Sequence, residues 1–193
     1  MRVAVIGPSG SGKSRVAAEL ARLTGARHVE IDALWHGPNW ESCGAEELHR
    51  RVSAATEGDG WISDGTYHTV IGDLVLERAE TVAWLDLPVA LVLGRLLRRS
   101  YVRKRDRVLL WNGNVEMSWR DQLRWLVWPA FRRVFENRRE LPARFARHPH
   151  LRVHRLRSDD EVRAFVQSIQ ATEWMSGSSK GSELQKMPPL ADT

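Results

Sequence analysis

The amino-acid sequence predicts an α/β protein built on a mainly parallel, five-stranded sheet. Short apolar runs rich in β-branched residues alternate with longer segments in which apolar residues recur at the helical period. The first of these runs leads directly into a glycine-rich stretch, GPSGSGKS, and then into a helical segment. The 193 residues are enough for one domain with a real core. Strands that alternate with helices predict a sheet covered by helices on both faces, and therefore three layers.

The first half of the chain supplies three of the strands. Arg2–Ile6 (RVAVI) is a compact β-branched run that predicts a buried strand. A helix over Lys13–Thr24 follows, with Gly25 as its C-cap. We then expect a strand at Arg27–Ile31, a helix at Ala45–Ala55 and a strand at Trp61–Ser63.

The second half supplies two strands and the longer helices. Pro88 suits the first turn of a long helix from Val89 to about Arg103. A helix that begins at Ser118 carries its apolar residues on one face, and Pro129 should kink it. The other expected elements are a short helix near Val70–Arg78, strands at Thr81–Leu85 and Leu151–Leu156, and a helix over Asp159–Gln170 capped by Ser158.

The composition is that of an ordinary globular protein with an excess of basic residues. The net charge of +5 suggests nucleic-acid binding, although proteins that hold polyphosphates also carry such an excess. The apolar run at residues 2–6 is too short for a signal peptide or a membrane span. The only cysteine, Cys43, excludes an intramolecular disulfide and suits a reducing compartment, so we expect a cytoplasmic protein.

The stretch from Gly7 to Ser14 matches the pattern G-x-x-x-x-G-K-[ST] between a predicted strand and a predicted helix. Its glycines let successive backbone N–H groups point inward as a nest for phosphate oxygens, and the helix N-terminus adds partial positive charge. We expect Lys13 to reach the β- and γ-phosphates and the Ser14 hydroxyl to ligate Mg²⁺. The stretch predicts a nucleoside-triphosphate site made of Gly7, Ser9, Gly10, Ser11, Gly12, Lys13 and Ser14.

A second ligand for Mg²⁺ should come from an acid at the end of a strand. In the strand order common to small P-loop kinases, 2-3-1-4-5, the third strand lies beside the first, which brings Asp64 next to the phosphate loop. Asp86 follows a more apolar run, but its strand lies on the other side of the first, so it is the secondary candidate. For either acid, capping of the following turn is the alternative interpretation.

Asp32, at the end of the second predicted strand, is the candidate for handling the acceptor. Such a carboxylate can accept a hydroxyl proton or orient a nucleophile, and an N-cap of the next turn is the equally weighted alternative. Trp35, His36 and Trp40 follow in a Gly/Pro-bearing loop. Their rings could stack on a planar acceptor or simply fill the core.

The long helix places Arg95, Arg98 and Arg99 at i, i+3 and i+4 on one face. Phosphoryl transfer depends chiefly on positioning and on neutralising charge, for which guanidinium groups are well suited. We therefore expect Arg95, Arg99 and Arg103 to cover the transferring group. A solvated basic face is the alternative.

Several segments together resemble one family. Besides the phosphate loop and the arginine helix, these are IDALWHGPNW, WISDGTY, RAETVAWLDLP, LLWNGN and LRVHRLRSDDEV. From Arg2 to about Gln170 the chain resembles the small adenylate-kinase-like P-loop kinases of the topology modulation protein type. The combination of D-x-L-x-x-G-P-x-W with L-W-N-G-N is the more specific part. The resemblance implies a nucleoside-monophosphate-kinase-like fold that uses ATP and Mg²⁺.

The resemblance also implies how the chain is divided. A kinase domain would span residues 1–170, with a helical lid at about 103–118, and Arg157 falls where such enzymes hold adenine. The Gly/Ser/Pro-containing segment 171–193 is expected to be a disordered tail. Two departures concern the acceptor: Gly72-Asp73 replaces an Arg-Asp pair, and Thr66-Tyr67-His68 replaces the Phe-Pro-Arg of true adenylate kinases. AMP is therefore not the favoured acceptor.

Two functions follow from these features. The first is an ATP-dependent kinase that acts on a small molecule, either a nucleotide or a hydroxylated metabolite. The second is a nucleic-acid-associated or regulatory NTPase that influences DNA topology, whose basic stretch would bind phosphate backbones in a salt-dependent way. Nucleic acid is the less favoured partner, because the sequence has no helix-turn-helix, zinc or oligonucleotide-binding signature. The sequence leaves the acceptor and the oligomeric state open.

Overall fold

The computed structural model describes residues 1–114 and 118–184 of the chain. Strands and helices alternate in the order β1 (Arg2–Ile6), α1 (Lys13–Thr24), β2 (Arg27–Glu30), α2 (Ile31–Trp35), α3 (Ala45–Ala55), β3 (Trp61–Asp64), α4 (His68–Ile71), α5 (Leu74–Arg78), β4 (Thr81–Leu85), α6 (Val89–Arg105), α7 (Trp119–Gln122), α8 (Trp128–Ala146), β5 (Arg152–Leu156) and α9 (Asp159–Leu184). Short 3₁₀ turns lie at Pro38–Trp40 and Trp111–Gly113, and a π-turn lies at Leu123–Val127.

The strands form one parallel sheet in the order β2-β3-β1-β4-β5. This order confirms the predicted fold class. The register pairs Asp64, the last residue of β3, with Val5 of β1 on one side and with Glu30 of β2 on the other. Since the carboxyl ends of parallel strands meet at one edge of a sheet, the segments that follow β1, β2 and β3 come together there.

Helices cover both faces of the sheet and give the predicted three layers. On one face, Leu20 of α1, Val92 of α6 and Phe165 of α9 belong to a single buried apolar cluster. The cluster on the other face includes residues of α3 and α5. Helix α8 contributes to both clusters, with Val134 in the first and Leu141 in the second. It therefore has a fixed position at one end of the sheet, which matters for the site described below.

Several element boundaries differ from the sequence prediction. The second strand ends at Glu30, and Asp32 lies in the first turn of α2 rather than at the end of a strand. The main-chain N–H of His36 donates to the carbonyl of Asp32 at 3.0 Å, which closes this helical turn. The single helix predicted near Val70–Arg78 is split into α4 and α5 at Gly72, whose φ of +65° interrupts a right-handed helix.

The helix predicted from Ser118 is interrupted before Pro129 rather than kinked at it. Helix α7 leads into the π-turn at Leu123–Val127, and Pro129 lies in the first turn of α8. In a first turn the missing N–H of proline has no partner to lose. Pro129 therefore does not kink α8, and the irregularity of this segment is the π-turn that directly precedes the helix.

The last helix extends beyond its predicted end at Gln170 and continues to Leu184. No proline occurs between Asp159 and Leu184 to stop it. Residues 185–193 of the predicted tail and residues 115–117 of the predicted lid lie outside the described residues. Among the helices of the described ranges, none combines the length and the apolar character needed to cross a membrane.

Candidate active site

The phosphate loop connects β1 to α1 and has the backbone conformation that its glycines permit. Gly10 and Gly12 have φ values of +90° and +89°, a region that glycine adopts without steric cost. The N–H of Ser11 donates to the carbonyl of Pro8 at 3.1 Å and closes the turn. Helix α1 starts directly after Gly12, so the unpaired N–H groups of its first turn adjoin the loop. This is the arrangement that binds phosphate.

Helix α6 packs against the phosphate loop at Gly10. A β-carbon built on Gly10 would lie 2.4 Å from the carbonyl oxygen of Val92 and 3.0 Å from the β-carbon of Leu96. A β-carbon built on Gly12 would meet nothing within 4 Å. The close approach at Gly10 thus fixes the loop relative to the helix that carries the predicted arginines.

Lys13 lies between two carboxylates. Its Nζ is 3.3 Å from Oδ1 of Asp64 and 3.9 Å from Oδ2 of Asp32. The side chain of Asp64 is only 3 % exposed, and its Oδ1 has no hydrogen-bond donor among the described residues. A buried carboxylate needs a compensating charge, which the ammonium group supplies here. The sequence prediction that Asp64 lies beside the phosphate loop agrees with this geometry.

These residues fit a Mg²⁺ ion held together with a nucleotide. Magnesium in such sites takes one or two protein oxygens and completes its shell with phosphate oxygens and water. Asp64 offers a carboxylate oxygen that lacks a hydrogen-bond donor among the described residues, and Ser14 offers an exposed hydroxyl in the first turn of α1. The predicted metal ligands are therefore compatible with the ion, and their role remains a prediction.

Asp86, the other acid considered for Mg²⁺, is bound by two arginines. Nε of Arg138 lies 2.7 Å from one carboxylate oxygen, and Arg155 donates to the other from two nitrogens, at 2.9 and 2.7 Å. The guanidinium of Arg155 also lies 4.4 Å from the centroid of the Trp84 ring. Because both of its carboxylate oxygens accept hydrogen bonds from arginines, Asp86 links β4, β5 and α8 and has a structural role.

Asp32 is held in place by Tyr67. The phenol donates to Oδ1 of Asp32 at 2.6 Å, while Oδ2 faces Lys13. Burial, followed by the negative charge of Asp32, raises the pKa of Tyr67 far above its usual value, so the phenol stays protonated. The Tyr67 ring also contacts that of Trp35, with centroids 5.8 Å apart. This role of Tyr67 was not predicted from the sequence, although its position just after Asp64-Gly65 was a usable signal.

A cavity of about 330 Å³ joins the phosphate loop to these side chains. Gly7, Ser9, Lys13 and Asp32 line it, as does Trp35. Its volume is at the lower end of the range for small-molecule sites.

The predicted arginines lie outside the cavity lining. In the described part of the chain, the lining includes none of Arg95, Arg99, Arg103 and Arg157. Nη2 of Arg95 is 2.6 Å from Oδ2 of Asp159, and the main-chain N–H of Arg157 donates to Glu161 at 2.8 Å. Their roles toward ATP stay predictions.

Two loops that carry the specific sequence motifs contact each other. After the roles that the sequence predicts for them, we call residues 36–41 the acceptor loop and residues 110–114 the lid turn. The buried amide of Asn114 donates to the carbonyl of Gly37 at 2.9 Å and accepts from the N–H of Trp40 at 3.0 Å. Asn112 also donates to the carbonyl of His36. The rings of His36 and Trp40 contact each other, and neither residue lines the cavity in the described ranges.

Helix α8 contributes residues that sequence analysis missed. Arg133 and Asn137 both line the cavity. His68 lines it too, and its pKa is lowered by burial and by the positive charges of Arg144 and Arg133. The sequence contained a signal for Asn137, because this polar residue lies between Val134 and Leu141 on the apolar face of the helix.

Comparison with known proteins adds little to the geometry. No protein-family model matches the chain, and no curated protein matches it. Among solved structures, shikimate kinase from Acinetobacter baumannii in complex with shikimate is similar to it with a TM-score of 0.47 and 22 % identity, covering 91 % of this chain and 93 % of that one. A likeness this distant carries no conclusion about activity. The fold assignment rests on the strand order and on the phosphate loop.

Proposed function

We propose that the protein is an ATP-dependent kinase that transfers a phosphoryl group to a hydroxyl group of a small molecule. The observation that carries the proposal is the position of Lys13, between Asp64 and Asp32, where the phosphate loop opens into the cavity. One ammonium group thereby connects a site built for phosphates with a site of small-molecule size. Membership of the topology modulation type of kinase belongs to the proposal and rests on the sequence segments alone.

On the donor side, the main-chain N–H groups of the phosphate loop, Lys13 and Ser14 would hold the triphosphate. ATP with Mg²⁺, when bound, supplies the phosphoryl group and neutralises part of its charge. Asp64 and Ser14 are the residues suited to the ion. Arg95, Arg99 and Arg103 would cover the transferring group, and Arg157 would lie at the adenine, as the sequence predicts.

On the acceptor side, Asp32 would accept the proton of the attacking hydroxyl or orient it. Tyr67 fixes the carboxylate through its 2.6 Å hydrogen bond and leaves the second oxygen for the acceptor and Lys13. Trp35 would provide an apolar wall of the cavity. Contact between the acceptor loop and the lid turn would help to exclude water from the reacting groups.

The nucleic-acid alternative gains no support from the basic stretch at residues 98–107. Nε of Arg105 lies 2.6 Å from Oδ1 of Asp106, so that cation is already paired. Arg103 and Lys104 also have interaction partners within the chain. Cations that already interact with groups of the protein contribute less to binding the phosphate backbone of a nucleic acid.

The test is a screen of ADP release with ATP·Mg²⁺ and three acceptor classes: nucleoside monophosphates, nucleosides and small hydroxylated metabolites. We expect one class to stimulate turnover in the wild type and in Arg22→Met, a control at an exposed position of the same helix. Lys13→Met should lower that turnover by about 100-fold or more, the usual effect of removing a group that stabilises transition-state charge. Wild-type turnover in Lys13→Met would refute the assignment.

A further inference from the structure

Helix α8 presents two polar residues, one helical turn apart, to the cavity. Arg133 and Asn137 are at i and i+4, a spacing that places them on the same face of the helix. Neither belongs to the phosphate loop or to the carboxylates around Lys13.

Asn137 is a buried amide whose hydrogen-bonding groups are not used by the protein. The residue is 5 % exposed, and none of the side-chain hydrogen bonds among the described residues involves it; its amide atoms are not fully shut off from solvent, because the residue lines the cavity. Buried polar groups are almost always hydrogen-bonded, since leaving them unpaired is costly. An unpaired amide that lines a cavity is therefore expected to bond to whatever occupies the cavity.

Arg133 is a cation that no cavity carboxylate compensates. Among the charged residues that line the cavity in the described ranges, Lys13 is already paired with Asp32 and also with Asp64 outside the lining. Arg133 forms a long ion pair with Glu136 on the same helix, with 3.8 Å between Nε and the carboxylate oxygen, and it also interacts with the charge of Glu140; in the described ranges neither carboxylate lines the cavity. Guanidinium groups in this situation bind carboxylate or phosphate, often through two parallel N–H donors.

We propose that Arg133 and Asn137 form the acceptor-recognition site of the kinase and that the acceptor is a hydroxylated anion. Its carboxylate or phosphate binds Arg133, a polar atom next to that group bonds to the amide of Asn137, and its hydroxyl reaches Asp32. The apolar lining at Trp35 and Trp125 contacts the body of the molecule. The proposal rests on the proposed function and adds the chemical class of the acceptor.

The experiment measures binding rather than turnover, with the phosphate loop saturated by a non-hydrolysable ATP analogue and Mg²⁺. Calorimetric titrations compare 3-hydroxybenzoate with 3-hydroxybenzyl alcohol, which has the same size but no charge, and glycerol 3-phosphate with glycerol. The proteins are the wild type, Arg133→Met, Asn137→Leu and Arg132→Met. Arg132 is the matched control, because it is the adjacent arginine, is 62 % exposed, pairs with Glu136 and does not line the cavity.

We expect at least one of the two anions to bind the wild type and Arg132→Met at least about 10-fold more tightly than its neutral partner, as a charge-assisted bond implies. Arg133→Met should abolish that preference, and Asn137→Leu should weaken binding of the same anion by about 5- to 10-fold. Preference for the carboxylate or for the phosphate tells the two kinds of anion apart.

Three outcomes would overturn the proposal: no preference for either anion in the wild type, a preference that survives in Arg133→Met, or an equal loss in Arg132→Met. Thermal unfolding of each variant shows whether it is folded. If Arg133→Met does not fold, Arg133→Lys replaces it, and it should keep part of the preference. Failure here leaves the Lys13 test untouched, because an uncharged acceptor would still be phosphorylated by a Lys13-dependent enzyme.

Discussion

Replacement of Gly10 by alanine should destabilise the protein more than the same change at Gly12. The two residues lie in the same loop and have almost the same φ, +90° and +89°. They differ in their surroundings, because a β-carbon at Gly10 would lie 2.4 Å from the carbonyl oxygen of Val92, whereas one at Gly12 meets nothing within 4 Å. The pair therefore separates backbone strain from a steric clash with α6.

The expected magnitudes follow from these two terms. Left-handed backbone costs a residue with a β-carbon about 1 to 2 kcal/mol, which applies to both variants. Overpacking against a fixed neighbour costs typically about 1 to 3 kcal/mol more, and it applies to Gly10→Ala alone. The free energy of unfolding should thus fall by about 1 to 2 kcal/mol in Gly12→Ala and by about 2 to 5 kcal/mol in Gly10→Ala.

Urea unfolding without nucleotide, followed by circular dichroism, measures both values. The difference between the variants reports how firmly α6 supports the phosphate loop. Equal losses of stability would refute the packing that we describe, since strain alone would then account for both. ATP binding should weaken in both variants, because both residues belong to the phosphate nest.

Three further predictions concern Asp73, which directly precedes α5, Tyr67, which lines the cavity, and Asn114 of the lid turn. Burial opposes ionisation of Asp73, but hydrogen bonds from His148, Arg144 and Arg147 outweigh it and lower the pKa of Asp73 to about 2. Because the folded-state pKa is depressed, this stabilisation is complete above about pH 4 and is lost as the pH falls toward 2. Asp73→Asn should therefore lower the free energy of unfolding by about 2 kcal/mol at pH 7 and by progressively less in unfolding measurements at acid pH. A loss of stability that is the same at every pH would contradict this. Tyr67→Phe keeps the ring but removes the hydrogen bond to Asp32, and should lower kcat by about 10-fold or more with little change in the KM for ATP; an unchanged kcat would show that Asp32 needs no support. Asn114→Ala breaks two hydrogen bonds between the lid turn and the acceptor loop, each worth about 1 kcal/mol. It should raise the KM for the acceptor about 10-fold. An equal rise in the KM for ATP would argue against a specific effect of these hydrogen bonds on acceptor binding.

The phosphate loop could be read from the sequence because its signal is local, whereas the strand order was expected from the order common to small P-loop kinases. The glycines, Lys13 and Ser14 occur within eight consecutive positions, between a β-branched run and a helical period. The choice of Asp64 over Asp86 came from topology rather than from local pattern, since Asp86 has the more apolar lead-in. The geometry agrees with that choice, as Asp64 lies 3.3 Å from Lys13.

The rest of the site depends on partners that are distant in the chain. Asp86 is bound by arginines 52 and 69 residues away, and Tyr67 holds Asp32 across 35 residues. Periodicity contains no information about such pairs, so these contacts were not predicted. Asn137 was overlooked for another reason: the helix was read for its apolar face, and the single polar residue within that face was not treated as a signal.

The fate of the γ-phosphoryl group is the decisive measurement. With labelled ATP and the acceptor class that stimulates ADP release, we predict that the label appears on a hydroxyl oxygen of the acceptor in the wild type and in Arg22→Met. In Lys13→Met, this transfer should be absent while the fold is retained. Label released only as inorganic phosphate by the wild type, or transferred equally well by Lys13→Met, would contradict a kinase in which Lys13 joins the phosphate loop to the acceptor cavity.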